Sequence, residues 1–279
     1  MSSISTLPGY EASICFFDAD HELYKKEKPY VCLVPLTHAP ADFPQTNIQM
    51  VRQNVQVKDI RGVQDHFKLD VHGFQLVRHS PKFNNWYDGR KVVTEYYPYV
   101  VDFLKRQLGA DRLRLGDHID SIERNKDVQG RPAVLAHVDN SMASTILQIR
   151  EDFKEDAESL LGKRFQVVNF WHPIVEPVIQ QPIAFCDYRT ARNDAYPSDL
   201  VYPHLVNENM LIKHSAEQQW YFIDTQMIEE AWLIKIADSS MDPDVAKFCP
   251  HTSFTVKWRE DKDALPRQSI ELRAYVFYA

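Results

Sequence analysis

The chain has 279 residues, 44% hydrophobic and 25% charged, with 32 basic against 39 acidic side chains and a formal net charge of −7. These are the proportions of a globular protein with a buried core, and they exclude extended disorder. The negative balance gives no overall basic field, so neither nucleic acid nor an anionic membrane is an expected partner.

The first residues, Met1 to Gly9, lack a basic start followed by a long apolar run, so no secretory signal is expected. The apolar runs are too short to cross a bilayer. Cys15, Cys32, Cys186 and Cys249 are widely separated and none sits in a Cys-x-x-Cys pair. Reduced thiols in the cytoplasm are the simplest account.

In chain order, residues 1–53 are rich in aromatics and prolines without clear periodicity and read as an irregular N-terminal arm. Residues 54–279 read as the core with flanking helices, the whole chain forming one domain. "NVQVKDIRG" and "FKLDVHGFQLVRH" alternate apolar and polar residues as half-buried strands do. In "GRKVVTEYYPYVVDFLKRQLGA", Val93, Tyr96, Tyr97, Val100, Val101, Leu104 and Leu108 recur at helical spacing and Gly109 supplies a stop. Pro98 should kink or divide that helix. "RPAVLAHVDNS" reads as a strand. "SMASTILQIREDFKEDAESLLG" reads as an amphipathic helix with Ile146, Ile149, Phe153, Ala157 and Leu160 on one face. From residue 163 onward "RFQVVNFWHPI", "PIAFCDY", "QQWYFID", "EAWLIKIAD", "HTSFTV" and "RQSIELRAYVFY" are short, aromatic and β-branched, which suggests a sandwich or jelly roll. No GxGxxG or Walker-type loop precedes a helix.

His137-Val138-Asp139 is the strongest chemical constellation. On a strand, residues i and i+2 point to one side, so His-x-Asp at a strand end can aim both side chains at one metal. Two imidazoles and a carboxylate are the facial set of a mononuclear iron centre. His251, at the start of "HTSFTV", is the candidate third ligand from a distant strand. His118-Ile119-Asp120 fits the same pattern, so the motif alone leaves both pairs open. Context favours His137, which follows the apolar Val134-Leu135-Ala136, whereas "LRLGDHIDSIERNKD" reads as surface or turn. In the last strand Arg267, Ser269, Glu271 and Arg273 share one face by parity, and Ile270, Leu272, Ala274 and Val276 the other. A guanidinium helped by a hydroxyl, as in Arg267-x-Ser269, suits a dicarboxylate; a solvated face with an Arg–Glu pair is the bland alternative. Asn169 and Trp171 share a face. Trp171, Trp220, Tyr221 and Trp232 read as core, and His172 and His214 as structural.

"AHVDNS", "NFWHPI", "PIAFCDYRT", "QQWYFID", "PHTSF" and "RQSIELRAYVFY", in this order, resemble a family of secondary-metabolism proteins. It contains gibberellin-desaturase-like hydroxylase/desaturases and relatives of the cephamycin methoxylation component. "LDVHGFQLVRHSP" and "GDHID" resemble it too, so the likeness runs from about residue 54 to the end. The resemblance implies a mainly β fold with flanking helices around a double-stranded β-helix (jelly roll, cupin-like) core. It implies Fe(II) and 2-oxoglutarate as cofactors, with dioxygen and a small-molecule substrate as partners. The outcome would be hydroxylation, desaturation or oxidative cyclisation, with His137, Asp139 and His251 as metal ligands. "RQS" also resembles the Arg-x-Ser element of isopenicillin-N-synthase-like oxygenases. Arg267, assisted by Ser269, is then the expected cosubstrate clamp, with Arg273 a rival and Asn169 an additional contact. The alternatives on the same fold are a redox-neutral isomerase or cyclase and a non-catalytic accessory subunit. A methyltransferase component, which the methoxylation relatives suggest, lacks the Gly-rich loop for its cofactor.

Overall fold

The computed structural model describes residues 7–34, 43–120, 133–175, 177–256 and 267–279, with backbone alone for 117–120. The strands among them are, in chain order, β1 (Gly9–Phe17), β2 (Tyr30–Cys32), β3 (Met50–Asp59), β4 (Phe74–Arg78), β5 (Arg112–Asp120), β6 (His137–Val138), β7 (Phe165–Pro173), β8 (Ile183–Cys186), β9 (Ala195–Val201), β10 (Val206–Ile212), β11 (Trp220–Phe222), β12 (Glu230–Asp238), β13 (His251–Ser253) and β14 (Ser269–Phe277). They form a nine-stranded sheet in the order β1-β3-β11-β8-β13-β6-β10-β9-β2 and a five-stranded sheet in the order β4-β12-β7-β14-β5. The main core lies between the two, where Phe16, Val138, Phe185 and Trp220 of the larger sheet join Val167, Trp171, Trp232 and Tyr275 of the smaller. This is a jelly roll.

Side-chain parity explains the layering. On β14, Ile270, Leu272, Ala274 and Val276 are buried in a second core on the outer face of the smaller sheet. Tyr275 and Phe277 point the other way, into the main core. Ser269, Glu271 and Arg273 share that inward direction, so the space between the sheets is apolar at one end and polar at the other. Trp171, Trp220, Tyr221 and Trp232 are all buried in the core.

The outer core is covered by a helical segment. Its first turn, Gly89–Lys91, passes through a widened π-type turn at Val92–Tyr96 into the helix Tyr97–Leu108. Pro98 stands in the first turn of that helix, where its missing N–H costs nothing, and Gly109 ends it at φ 64°. The helical run is unbroken at Pro98, and the irregularity is the π-type widening that ends just before it. The inward stripe is Val92, Tyr96, Val100 and Leu104; Val93 is 47% exposed, contrary to its expected place on the core face. In the second helix, Met142–Phe153, the Ser141 hydroxyl accepts from the Ser144 N–H at 3.1 Å, and Ile149 and Phe153 are buried. The following 3-10 turn and Ala157–Leu161 continue it.

Three expectations are corrected. The described part of residues 1–53 is not an irregular arm: β1 pairs with β3 from Gly9↔Lys58 to Phe17↔Met50. The run Ile14-Cys15-Phe16-Phe17 is buried on both faces, so no alternation marks it as a strand. Leu69–His72 is a helical turn rather than strand, ended by Gly73 at φ 88°. His118 and Asp120 lie in β5 opposite Leu272 and Ile270 of β14, not in a turn. Their side chains and residues 121–127 of that run lie outside the described residues.

Candidate active site

β13 is hydrogen-bonded to β6 on one side and to β8 on the other, and its register sets His251 directly opposite His137. The two imidazole centroids are 4.6 Å apart. Asp139, just past the end of β6, points to the same side as His137. Its Oδ1 lies 3.3 Å from His137 Nε2 and 3.4 Å from His251 Nε2. The three ligand atoms fall within 4.8 Å of one another, and among the described residues this is the His/Cys/Asp/Glu group able to hold a metal ion.

Backbone carbonyls orient both rings. His137 Nδ1 donates to Leu135 O at 2.7 Å and His251 Nδ1 to Cys249 O at 3.0 Å. A carbonyl only accepts, so in the neutral rings Nδ1 carries the proton and the Nε2 lone pair faces Asp139. Two nitrogen lone pairs and a carboxylate oxygen thus converge, an arrangement that a shared cation satisfies. Burial works against charge on Asp139, but His137 and His251, which in their protonated form donate to it through Nε2, and the Arg273 charge outweigh burial and hold the carboxyl well below its usual range. Burial likewise disfavours His251 charging, yet Asp139 raises its pKa.

Gly73 helps to place His251. A Cβ there would stand 2.6 Å from Phe248 O and 3.0 Å from Cys249 Cβ. Only glycine lets this turn approach the Phe248–Cys249 backbone, which Cys249 N further fixes on Lys235 O at 2.7 Å.

The sequence candidates of β7 and β14 separate into two groups. Arg273 Nη2 donates to Asp139 Oδ2 at 2.8 Å and Asn169 Nδ2 to the same oxygen at 2.6 Å. Asn169 Nδ2 also donates to Glu271 Oε1, and Arg273 Nε reaches Asn169 Oδ1 at 3.4 Å. Burial, then the Asp139 charge, raises the Glu271 pKa. Arg267 stands apart. Its guanidinium lies 5.4 Å over the Trp171 ring and donates to Gln181 O at 2.5 Å, while its Nε is buried with no partner among the described residues. Burial pulls its pKa down to about 10 against the opposing Glu271 charge. Ser269, on the same face, is buried.

A cavity of about 1110 Å³ opens beside this cluster. Asn169, Glu271 and Arg273 line it, together with Tyr97 and the more exposed Val93 and Leu147. Other polar residues make contacts of their own: His172 is fully buried, His214 is half-buried and Arg189 is exposed. His172 bonds Tyr96 through Nε2 and Pro173 O through Nδ1, and burial lowers its pKa to about 3. The His214 ring packs on Phe16, and Arg189 closes on Asp187. Sequence reasoning did not find Glu271 as Asn169's partner, nor the cavity role of Val93 and Tyr97. Only the sheet register and the π-type turn reveal them.

Comparison with known proteins agrees with this geometry. Residues 15–277 match the family described as oxidoreductase/YMDC permease-like domain. Among the described residues no helix is long and apolar enough to cross a membrane. The chain is 32% identical over 242 residues to the Fe(II)/2-oxoglutarate-dependent dioxygenase nvfI of Aspergillus novofumigatus, covering 84% of this chain and 86% of that one. It is 29% identical over 256 residues to the hydroxylase/desaturase CTB9 of Cercospora beticola, covering 81% and 76%. The solved structure of the iron and alpha-ketoglutarate-dependent endoperoxidase NvfI superposes with a TM-score of 0.84 at 27% identity, covering 97% of this chain and 98% of that one.

Proposed function

The chain belongs to the oxidoreductase/YMDC permease-like family and to the Fe(II)/2-oxoglutarate-dependent dioxygenases of fungal secondary metabolism; from that premise we propose a role for each residue of the site. The enzyme is an oxidoreductase that uses iron, 2-oxoglutarate and dioxygen on a small molecule. In our reading His137 Nε2, His251 Nε2 and Asp139 Oδ1 hold the iron. The observation that carries it is the convergence of these three atoms, with each imidazole's other nitrogen committed to a carbonyl.

Arg267 is assigned to the far carboxylate of 2-oxoglutarate, with Ser269 beside it. Two observations support this choice over Arg273. Arg267 is half-buried, and its Nε is enclosed with no partner among the described residues, the condition a carboxylate relieves. Arg273 is already engaged with Asp139 and Asn169. It also touches the carboxylate assigned to the metal, whereas the far end of a five-carbon acid chelated by its keto-acid end lies several bonds away.

The cavity is assigned to the substrate. When bound, iron and 2-oxoglutarate supply an oxidation of C–H bonds by dioxygen, releasing succinate and carbon dioxide. The chain's own residues orient the ligands, neutralise the cosubstrate and exclude water. Its apolar lining, Val93, Leu147 and Val206, suits the body of an organic substrate, and Asn169 and Glu271 its polar groups. The chain is read as a single oxygenase domain acting in the cytoplasm, with no nucleic acid or membrane partner. The deciding experiment measures succinate formed from 2-oxoglutarate by iron-loaded enzyme, native and His251→Ala. Iron-dependent succinate from the native enzyme alone supports the assignment; equal rates in both would remove it.

A further inference from the structure

We infer that Asn169 and Arg273 are positioning residues that restrict Asp139 to one metal-binding oxygen. This rests on the assignment of His137, Asp139 and His251 as ligands. The two oxygens of Asp139 are not equivalent. Oδ1 faces both imidazole nitrogens, at 3.3 and 3.4 Å. Oδ2 faces away and accepts two hydrogen bonds, from Arg273 Nη2 at 2.8 Å and Asn169 Nδ2 at 2.6 Å. Two donors use the in-plane lone pairs of a carboxylate oxygen, so Oδ2 keeps none for a metal.

The clamp is rigid because its parts determine one another. Asn169 and Arg273 are cross-strand partners in the centre of the smaller sheet. Arg273 Nε donates to Asn169 Oδ1 at 3.4 Å, which fixes the amide with its nitrogen toward the carboxylates. That nitrogen's two hydrogens go to Asp139 and Glu271. Rotation of Asn169 would set its carbonyl against two carboxylates at once. Rotation of Asp139 to chelate through both oxygens would strand the Arg273 fork.

The consequence concerns how many metal positions remain. Two imidazoles and a one-oxygen carboxylate take three places of an octahedral ion on one face. A chelating Asp139 would take a fourth, and the keto acid and dioxygen would then compete. In this chain the late-strand arginine therefore serves the metal's carboxylate.

The test uses Co(II) alone, without 2-oxoglutarate or substrate, titrated into the metal-free protein. The readouts are affinity and the shape of the visible Co(II) absorption, which reports coordination number. Asn169→Ala and Arg273→Lys are the informative variants because neither changes the net charge beside the metal. Each should weaken Co(II) binding about tenfold, and the pair together up to about a hundredfold, the range for lost outer contacts of metal ligands. The absorption should change shape in both. Native affinity and native spectrum in both variants would overturn the inference. His137→Ala separates the two levels: Co(II) binding unchanged in that variant would sink the ligand assignment itself. If Arg273→Lys does not fold, Asn169→Ala and Asn169→Leu decide by the same criteria.

Discussion

His137 and His251, 114 positions apart in the chain, are direct cross-strand partners on β6 and β13. Neighbouring strands lie about 4.8 Å apart, so this single pairing brings two imidazoles to ligand distance of one ion. The metal site is thus a property of sheet register, and a one-residue slip of β13 would turn His251 away from it.

His137→Ala, Asp139→Ala and His251→Ala should each abolish iron retention and turnover while leaving the fold, because none of the three side chains belongs to either apolar core. Metal content after gel filtration and far-ultraviolet circular dichroism report the two properties. His118→Ala serves as control and should retain iron. Retention in His137→Ala together with loss in His118→Ala would transfer the site to the other His-x-Asp pair.

Arg267→Leu should raise the 2-oxoglutarate dissociation constant by about two to four decades. Removing one partner of a buried charge pair costs roughly 3–5 kcal/mol, at about 1.4 kcal/mol per decade. Arg267→Lys should recover part of this, since an ammonium cannot match a planar fork. Anaerobic titration of the iron–keto acid absorption measures it. An unchanged constant in Arg267→Leu would place the clamp elsewhere.

Gly73→Ala should reduce both stability and metal affinity. The added Cβ meets Phe248 O at 2.6 Å, and the backbone stands at φ 88°. Left-handed strain in a non-glycine residue costs about 1–3 kcal/mol. Relief of the clash must move the segment leading to His251. Urea denaturation and Co(II) titration should therefore shift together, and a stability loss with native Co(II) affinity would show that Gly73 does not position His251.

A buried ionic cluster lies under the same turn. Lys235 Nζ donates to Asp70 at 2.5 Å and to Asp238 at 2.7 Å, and Arg164 bonds both carboxylates. Lys235→Met leaves Asp238 buried with one cation fewer and should cost about 3–5 kcal/mol. Burial would raise the Asp238 pKa, but Arg164 and Lys235 outweigh it and hold it at about 2, below the 3.8 of a free aspartate. A depressed carboxyl contributes stability above its unfolded pKa, and that contribution is lost as pH falls from about 4 to about 2. Denaturation midpoints should drop across that window in the native chain and drop less in Asp238→Asn. Equal slopes would remove Asp238 from the acid response.

The sequence by itself determined what repeats locally. Alternation along "RQSIELRAYVFY" told which residues of β14 share a face, and the structure keeps that division between its two cores. Strand "EAWLIKIAD" coincides with Glu230–Asp238 because turns bound it on both sides. The ordered motifs carried the family and its cofactors. Tertiary structure alone decided the rest. The second half of β1, Ile14 to Phe17, is buried on both faces and so shows no period. Val92 rather than Val93 turned inward because the π-type turn rotates the helix face, which no fixed 3.6-residue period contains. Arg267 and Arg273 are equivalent by parity and are told apart by their tertiary neighbours, Trp171 and Gln181 for one, Asp139 and Asn169 for the other. Periodicity sets the direction of a side chain, whereas its partner depends on which distant strand the register brings alongside.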